Sequence, residues 1–165
     1  RNPRNQGFIE YVGHDTYINW RKETESAGDF AISIGSTTID HINYLADPYG
    51  EQIEFLTYYY YEPRSRQNVN FNYKYEQHNV SVNMTRMGHM NIYGTAGGGT
   101  KSDPHIMTNV SYSYDWSPDI DTYVSIRNID DVMPQKDTGY SYPFFNEGYY
   151  SAFGRYMTAG ITYRF

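Results

Sequence analysis

The chain has 165 residues, a length that fits one domain, but only 39% of them are apolar, which is below the usual range for globular domains. Tyrosine supplies 20 residues whereas leucine occurs only at Leu45 and Leu56, a composition that argues against a helical bundle and favours strands. A net charge of −6 without a basic run argues against nucleic acid as a partner, and the lack of cysteine excludes disulfides and thiol chemistry.

The first part of the chain gives the weaker strand signals. It opens on Arg1-Asn2-Pro3 without an initiator methionine or signal peptide, so we expect a processed chain or a fragment. Residues 1–29 contain "GFIEYV" and "DTYINW", which predict one more strand or part of a long loop. "DFAISIGS" and "TTIDHINY" are typical of extended segments, with "ADPYG" as a turn. "EQIEFLTYYYY" (51–61) predicts a strand whose four successive tyrosines fit either face.

Alternation of apolar and polar residues predicts five further strands from residue 68 onward. These strands are 68–76, 80–84, 105–116, 120–128 and 154–165. "QHN" (77–79) and "SPD" (117–119) predict tight turns, whereas 93–104 and 129–153 predict long loops. Without a convincing helix signal, we predict an all-β fold: an antiparallel meander of about seven or eight strands in one unit spanning 1–165.

The last predicted strand carries an apolar stripe that continues to the final residue. Steps of two along this strand give Met157, Ala159, Ile161, Tyr163 and Phe165. The interleaved residues are mostly polar, so the pattern predicts a strand with one apolar face that runs to the end of the chain.

The two faces of the predicted strands favour a membrane barrel over a soluble sandwich. A sandwich carries Lys and Glu on its outer faces, whereas these polar faces are rich in Asn, Ser and Thr. The apolar faces end in aromatic residues and short turns alternate with long loops, as in outer-membrane barrels. We predict that these residues face lipid: Phe71, Tyr73, Val82, Val110, Tyr112, Val124, Ile126, Ile161 and Tyr163. We predict that these residues face the lumen: Asn70, Asn72, Lys74, Asn109, Ser111, Asp121, Arg127, Thr158 and Arg164.

Three segments near the C-terminus resemble the end of TonB-dependent outer-membrane receptors. They are "SIRNIDD" (125–131), "SYPFFNEGYY" (141–150) and "GRYMTAGITYRF" (154–165). The specific resemblance covers about residues 105–165, and Ile129-Asp130 departs from the Leu-Phe-Asp that the family often has. Family members also have an N-terminal plug and a 22-stranded barrel, which do not fit into this length. The resemblance therefore implies a C-terminal piece of a receptor, or a small relative that kept this end.

The resemblance implies a function and a set of partners. It implies energy-coupled uptake of a nutrient such as a siderophore, cobalamin, sugar or peptide across the bacterial outer membrane. The implied partners are outer-membrane lipid, the barrel-assembly machinery, and the plug and other strands of the receptor. The stripe that ends at Phe165 resembles the signal read by the assembly machinery. Two alternatives stay open: a self-contained eight-stranded barrel with a structural or adhesive role, and a soluble β-barrel that binds a small ligand.

Other motifs give weaker indications of chemistry. "GTAGGGTKS" (94–102) lacks the Gly before Lys that a phosphate loop needs and is followed by Pro104 and a strand. His89 and His105 flank this loop, but the histidines do not have the spacing of metal ligands. Asp130, Asp131 and Asp137 in the next loop could bind calcium, but solvated loop acids are the default interpretation. No catalytic arrangement is present in the pattern, so we expect neither an enzyme nor a bound cofactor.

Overall fold

A computed structural model describes residues 7–46, 50–58, 62–92 and 100–165. The described residues form eight strands and one helical turn. They are β1 (Phe8–Lys22), β2 (Asp29–Leu45), β3 (Ile53–Glu54), α1 (Phe55–Tyr58), β4 (Ser65–Tyr75), β5 (His78–Met87), β6 (His105–Ser117), β7 (Ile120–Arg127) and β8 (Tyr156–Tyr163). None of the helical residues described belongs to a helix long and apolar enough to cross a membrane.

All strands belong to one antiparallel sheet in meander order. The path runs β1-β2-β4-β5-β6-β7-β8, and β3 pairs with the end of β2. Within the described residues, β1 pairs only with β2, and β8 pairs only with β7. These two strands are therefore the edges of the described sheet. The prediction of an all-β antiparallel meander is therefore confirmed.

The register sorts the sheet into one apolar and one polar face. Paired residues in neighbouring strands share a face, so each register row runs across the whole sheet. One row is Trp20, Ile32, Phe71, Val82, Val110, Ile126 and Met157. The row beside it is Lys22, Phe30, Tyr73, Val80, Tyr112, Val124 and Ala159. The structure thus places all nine residues predicted to face lipid on this one apolar face.

Short and long connections lie at opposite ends of the strands. Residues 23–28, 76–77 and 118–119 connect strands at one end, which we call the turn end. Residues 46–64, 88–104 and 128–155 connect them at the other end, which we call the loop end. The predicted alternation of turns and loops thus follows from an antiparallel meander in which every second connection is long.

The structure corrects several predicted boundaries. Residues 8–22 form one strand, and the two extended segments after it form the single 17-residue strand β2. The predicted strand at 51–61 is wrong: β3 has two residues, α1 follows directly, and residues 59–61 lie outside those described. The Glu54 carboxylate accepts hydrogen bonds from the Ile42 and Leu56 backbone amides, so it fastens β3 to β2 and holds the first turn of α1.

Two further corrections concern strand ends. The predicted turn at 77–79 is too long, because His78 pairs with Tyr75 and already belongs to β5. The last strand stops at Tyr163 instead of the final residue. Arg164 still donates its backbone N–H to the Asp119 carbonyl at 2.8 Å, whereas Phe165 is fully exposed.

A β-bulge between β1 and β2 limits the apolar face toward the loop end. The register shifts between Val12 and Gly13, so Asp40 of β2 is the extra residue. On the turn-end side of the shift, Ile18 and Ile34 lie on the apolar face. On the loop-end side, Tyr11 and Ile42 pair on the opposite, polar face. The apolar face therefore does not extend to the tips of the two longest strands.

The sheet has almost no interior core. Ile42, Met90 and Phe145 are the buried hydrophobic residues among those described, and all three lie near the loop end. The accessible surface is 11601 Å², whereas a compact protein of this mass exposes about 8,500 Å². A large apolar face thus remains uncovered in the isolated chain, which is unusual for a monomer in water.

Candidate functional site

The polar face of the sheet carries a chain of asparagine side chains that crosses three strands. Asn70 Nδ2 and Asn83 Nδ2 both donate to Asn68 Oδ1, and Asn83 Nδ2 also lies 2.8 Å from Asn70 Oδ1. Asn109 Nδ2 donates to Asn83 Oδ1 at 3.1 Å. Asn109 Oδ1 accepts the backbone N–H of Asn128, which begins the long loop after β7. These amides satisfy one another across the strands, as a dry or confined polar surface requires.

The structure brings the predicted lumen-facing residues onto this same face. Asn70, Asn72, Lys74, Asn109, Ser111, Asp121, Arg127 and Thr158 occupy its register rows. Arg164 lies just beyond β8, but its guanidinium forms an ion pair with Asp121 at 2.8 Å and so belongs to the same surface. Asn72 accepts a hydrogen bond from Ser81, and Arg127 donates to the Tyr156 hydroxyl at 2.6 Å.

Two tyrosines on the polar face lie over glycines of a neighbouring strand. Tyr123 pairs with Gly160, and a Cβ at Gly160 would lie 2.6 Å from the Tyr123 ring. Tyr17 pairs with Gly35, where a Cβ would lie 3.4 Å from the ring. In each pair the ring fills the space that the missing side chain leaves, a device known from natural and designed sheets. These pairs cannot be predicted from alternation along a single strand, because they depend on the register between strands.

A groove of ≈ 560 Å³ follows the polar face toward the turn end. Arg21, Asp29 and Lys74 supply its charged groups, and Asn79, Ser111 and Ser113 supply polar ones. With both signs of charge and several hydroxyls, the groove suits a hydrated polar surface of protein or a polar solute.

Aromatic rings line the turn end of the apolar face, and the polar atoms of two of them form hydrogen bonds. Tyr112 OH lies 2.8 Å from His78 Nδ1, and Trp116 Nε1 donates to Thr122 Oγ1 at 3.0 Å. Tyr114 packs edge-on against both His78 and Trp116, with ring centroids 5.0 and 4.7 Å apart. Rings that are apolar in body and hydrogen-bonded at the tip are typical of a membrane–water boundary.

The residues of the predicted assembly signal also lie on the apolar face. Met157, Ala159, Ile161 and Tyr163 pair with the apolar side of β7, and the Phe165 ring lies 6.1 Å from that of Tyr163. Their strand, β8, is an edge of the described sheet. The structure thus presents the stripe next to a strand edge with free backbone groups.

The long loop after β7 folds over the loop end of the polar face. Residues 147–151 and Phe153 form a cavity wall with Thr85, Met87, His105 and Met107, all four of which point to the polar face. The Arg66 guanidinium lies 5.0 Å from the Tyr149 ring centre, and the His105 and Tyr150 rings meet edge-on at 5.0 Å. We call residues 128–155 the cover loop.

A hydrogen-bonded group fastens the cover loop to the connection before β4. Burial raises the pKa of Tyr149 to about 12, with a further contribution from its hydrogen bond to the Glu62 carboxylate, while Arg66 acts in the opposite direction. The phenol is therefore protonated at neutral pH and joins two connections that are distant in sequence. Burial also raises the pKa of Tyr150, and a hydrogen bond from Ser102 lowers it by a smaller amount.

Paired histidines and acids lie along the loop ends of β1, β2 and β3. His14 and Asp40 are 3.2 Å apart, and His41 and Glu54 are 3.0 Å apart. Burial acts to raise the pKa of Glu54, but hydrogen bonds from the Ile42 amide, His41 and the Leu56 amide outweigh it and leave that pKa below its usual value.

Residues of the predicted loop motifs contact backbone groups of neighbouring segments. His89 Nδ1 lies 2.7 Å from the Ser102 carbonyl, and Asp131 accepts the Arg155 backbone N–H at 2.7 Å. Among the described residues, no three His, Asp or Glu side chains come together in a way that could hold a metal ion. Residues 94–99 of the glycine segment (94–102) lie outside the described residues.

Comparisons with known proteins add no assignment. No family model matches the chain, no curated protein matches it, and no solved structure matches its fold.

Proposed function

We propose that this chain is the C-terminal barrel portion of a TonB-dependent outer-membrane receptor, which takes up a nutrient such as a siderophore, cobalamin, sugar or peptide. The observation that carries the proposal is the division of one seven-strand path into an apolar and a polar face. Lipid would cover the apolar face and the aromatic turn end, and the polar face would line the lumen.

The polar face supports the receptor reading over a narrow closed barrel. Side chains fill the interior of an eight-stranded barrel, whereas this face carries a groove of ≈ 560 Å³. In addition, the edges formed by β1 and β8 carry backbone groups that lipid cannot satisfy. Further strands of a larger barrel would pair with these edges, and a plug would meet the asparagine chain and the charged groups of the groove.

The experiment that tests the proposal measures the size and location of the native protein. Antibodies raised against this chain should detect a protein several times larger than 19.3 kDa in the outer-membrane fraction of Gram-negative cells. An outer-membrane protein of about the chain's own mass would favour the self-contained eight-stranded barrel. Recovery in a water-soluble fraction without detergent would favour a soluble ligand-binding protein and end the membrane proposal.

A second measurement tests transport itself. Cells that lack the gene for the native protein should lose uptake of its nutrient, and dissipation of the proton gradient should have the same effect in wild-type cells. Uptake that continues without energy would argue against a TonB-dependent receptor and in favour of a passive channel.

A further inference from the structure

A second cavity lies between the cover loop and the segment that follows β5. Its volume is ≈ 220 Å³, enough for one ring-sized molecule, and it is separate from the groove on the polar face. The buried side chains of Met90 and Phe145 form part of its wall. His105 and Tyr150 add an edge-on ring pair, so most of the lining is apolar or aromatic.

Most polar groups in the cavity are already occupied. Ser102 Oγ accepts the Met90 backbone N–H, and Gln135 Oε1 accepts that of Asp103 at 2.8 Å. The amide of Asn146 donates to the Tyr140 hydroxyl and accepts from Gly148. A sugar needs many free partners for its hydroxyls, so this cavity suits a ligand with few polar groups.

His105 differs from the other polar groups without a hydrogen bond in the cavity wall, Asp103 and Lys136, because those two side chains are exposed. It is half-buried, lines the cavity and makes no side-chain hydrogen bond within the part of the chain that the structure describes. A neutral imidazole offers one donor and one acceptor nitrogen. The Lys136 ammonium also lines the cavity and lies 4.8 Å from the centre of the Phe144 ring. The free imidazole therefore favours a ring hydroxyl over a plain hydrocarbon, whereas the Lys136 ammonium already lies over the Phe144 ring.

We propose that this cavity binds a planar aromatic ring that carries a hydroxyl group, with the hydroxyl on the His105 imidazole and the ring against Phe145 and Tyr150. Aromatic walls provide the area for burying such a ring, and the imidazole fixes its orientation. The proposal does not depend on the transport function, because the cavity is formed by residues of this chain alone.

Fluorine NMR with 4-fluorophenol and fluorobenzene tests the proposal on the purified full chain in detergent micelles, with protein-free micelles as the reference. The folded chain should bind 4-fluorophenol about fivefold more tightly than fluorobenzene, as one net hydrogen bond provides. Equal binding of both probes, or binding of neither, would overturn the proposal. Displacement of 4-fluorophenol by glucose would overturn the choice of ligand class.

Two matched variants locate the site. His105→Phe keeps a ring against Tyr150 but removes both nitrogens, so it should bind the two probes equally. His78→Phe makes the same change at the turn end, far from the cavity, and should keep the fivefold preference. Loss of the preference in His78→Phe, or its survival in a folded His105→Phe chain, would contradict the assignment.

Discussion

At the scale of single residues, Glu54 shows how one carboxylate fixes a connection that has little regular structure. Its oxygens accept hydrogen bonds from two backbone amides, those of Ile42 in β2 and Leu56 in α1, and lie 3.0 Å from the His41 imidazole of β2. Because the folded pKa is below the unfolded value of about 4.3, the charged form stabilises the fold above that pH. This contribution is lost as the pH falls through the lower folded pKa.

We therefore expect the protection of the Ile42 and Leu56 amides from hydrogen exchange to fall on acidification below about pH 4. Glu54→Gln keeps an oxygen acceptor but has no charge, so protection should change little with pH. Glu54→Ala removes the acceptor, and both amides should exchange faster at every pH. Protection factors measured by NMR from pH 7 to pH 3 check this, and a pH-independent profile in the wild-type chain would refute it.

At the scale of elements, the contact between β7 and β8 depends on a ring over a glycine. Gly160→Ala would place a Cβ 2.6 Å from the Tyr123 ring, so the ring has to move, at an expected cost of about 1 kcal/mol. In a Tyr123→Ala background the same substitution should cost much less. Urea titration of all four chains gives the coupling energy, and additive effects would show that the ring does not occupy this space.

Gly35→Ala provides the matched control for this prediction. Its Cβ would lie at an ordinary contact distance of 3.4 Å from the Tyr17 ring. We expect a smaller loss of stability there than at Gly160, although both are tyrosine–glycine pairs on the same face.

Some elements could be predicted from the sequence pattern and others could not. Alternation predicted β4 to β8 well because their faces differ strongly, as Phe71 and Asn72 illustrate. It failed at 51–61, where consecutive tyrosines have no period and a distant contact from Ile42 to Glu54 decides the structure. The cover loop and its cavity could not be predicted either, since Tyr149 contacts Arg66 of β4 and Tyr150 contacts His105 of β6, both distant in sequence.

At the scale of the whole molecule, the proposed lipid face predicts a strong asymmetry between neighbouring residues. Val124→Arg would place a charge on the apolar face and should destabilise the chain in a bilayer by about 2–4 kcal/mol. Ser125→Arg changes the adjacent residue on the polar face and should cost far less. Folding titrations in lipid vesicles compare the two, and equal losses would argue against lipid contact at Val124.

Outer-membrane barrels have short periplasmic turns and longer extracellular loops, so the proposed function predicts that the loop end is accessible from outside the cell. These 165 residues contain no cysteine, and the unsubstituted native protein gives the background for labelling of single cysteines placed among them. In the native protein on intact cells, a membrane-impermeant maleimide should label Tyr142→Cys at the loop end but not Gln77→Cys at the turn end. Labelling of Gln77→Cys alone would reverse the orientation.

The asparagine chain has a consequence for strand registration during folding. A slip of one residue turns every side chain to the wrong face and is excluded by the apolar pattern. A slip of two residues keeps apolar on apolar and polar on polar, so the pattern cannot detect it. Such a slip between β5 and β6 would separate Asn83 from Asn109 and break the hydrogen bond between their side-chain amides. These side chains therefore distinguish the native pairing from the neighbouring alternative that hydrophobicity alone would accept.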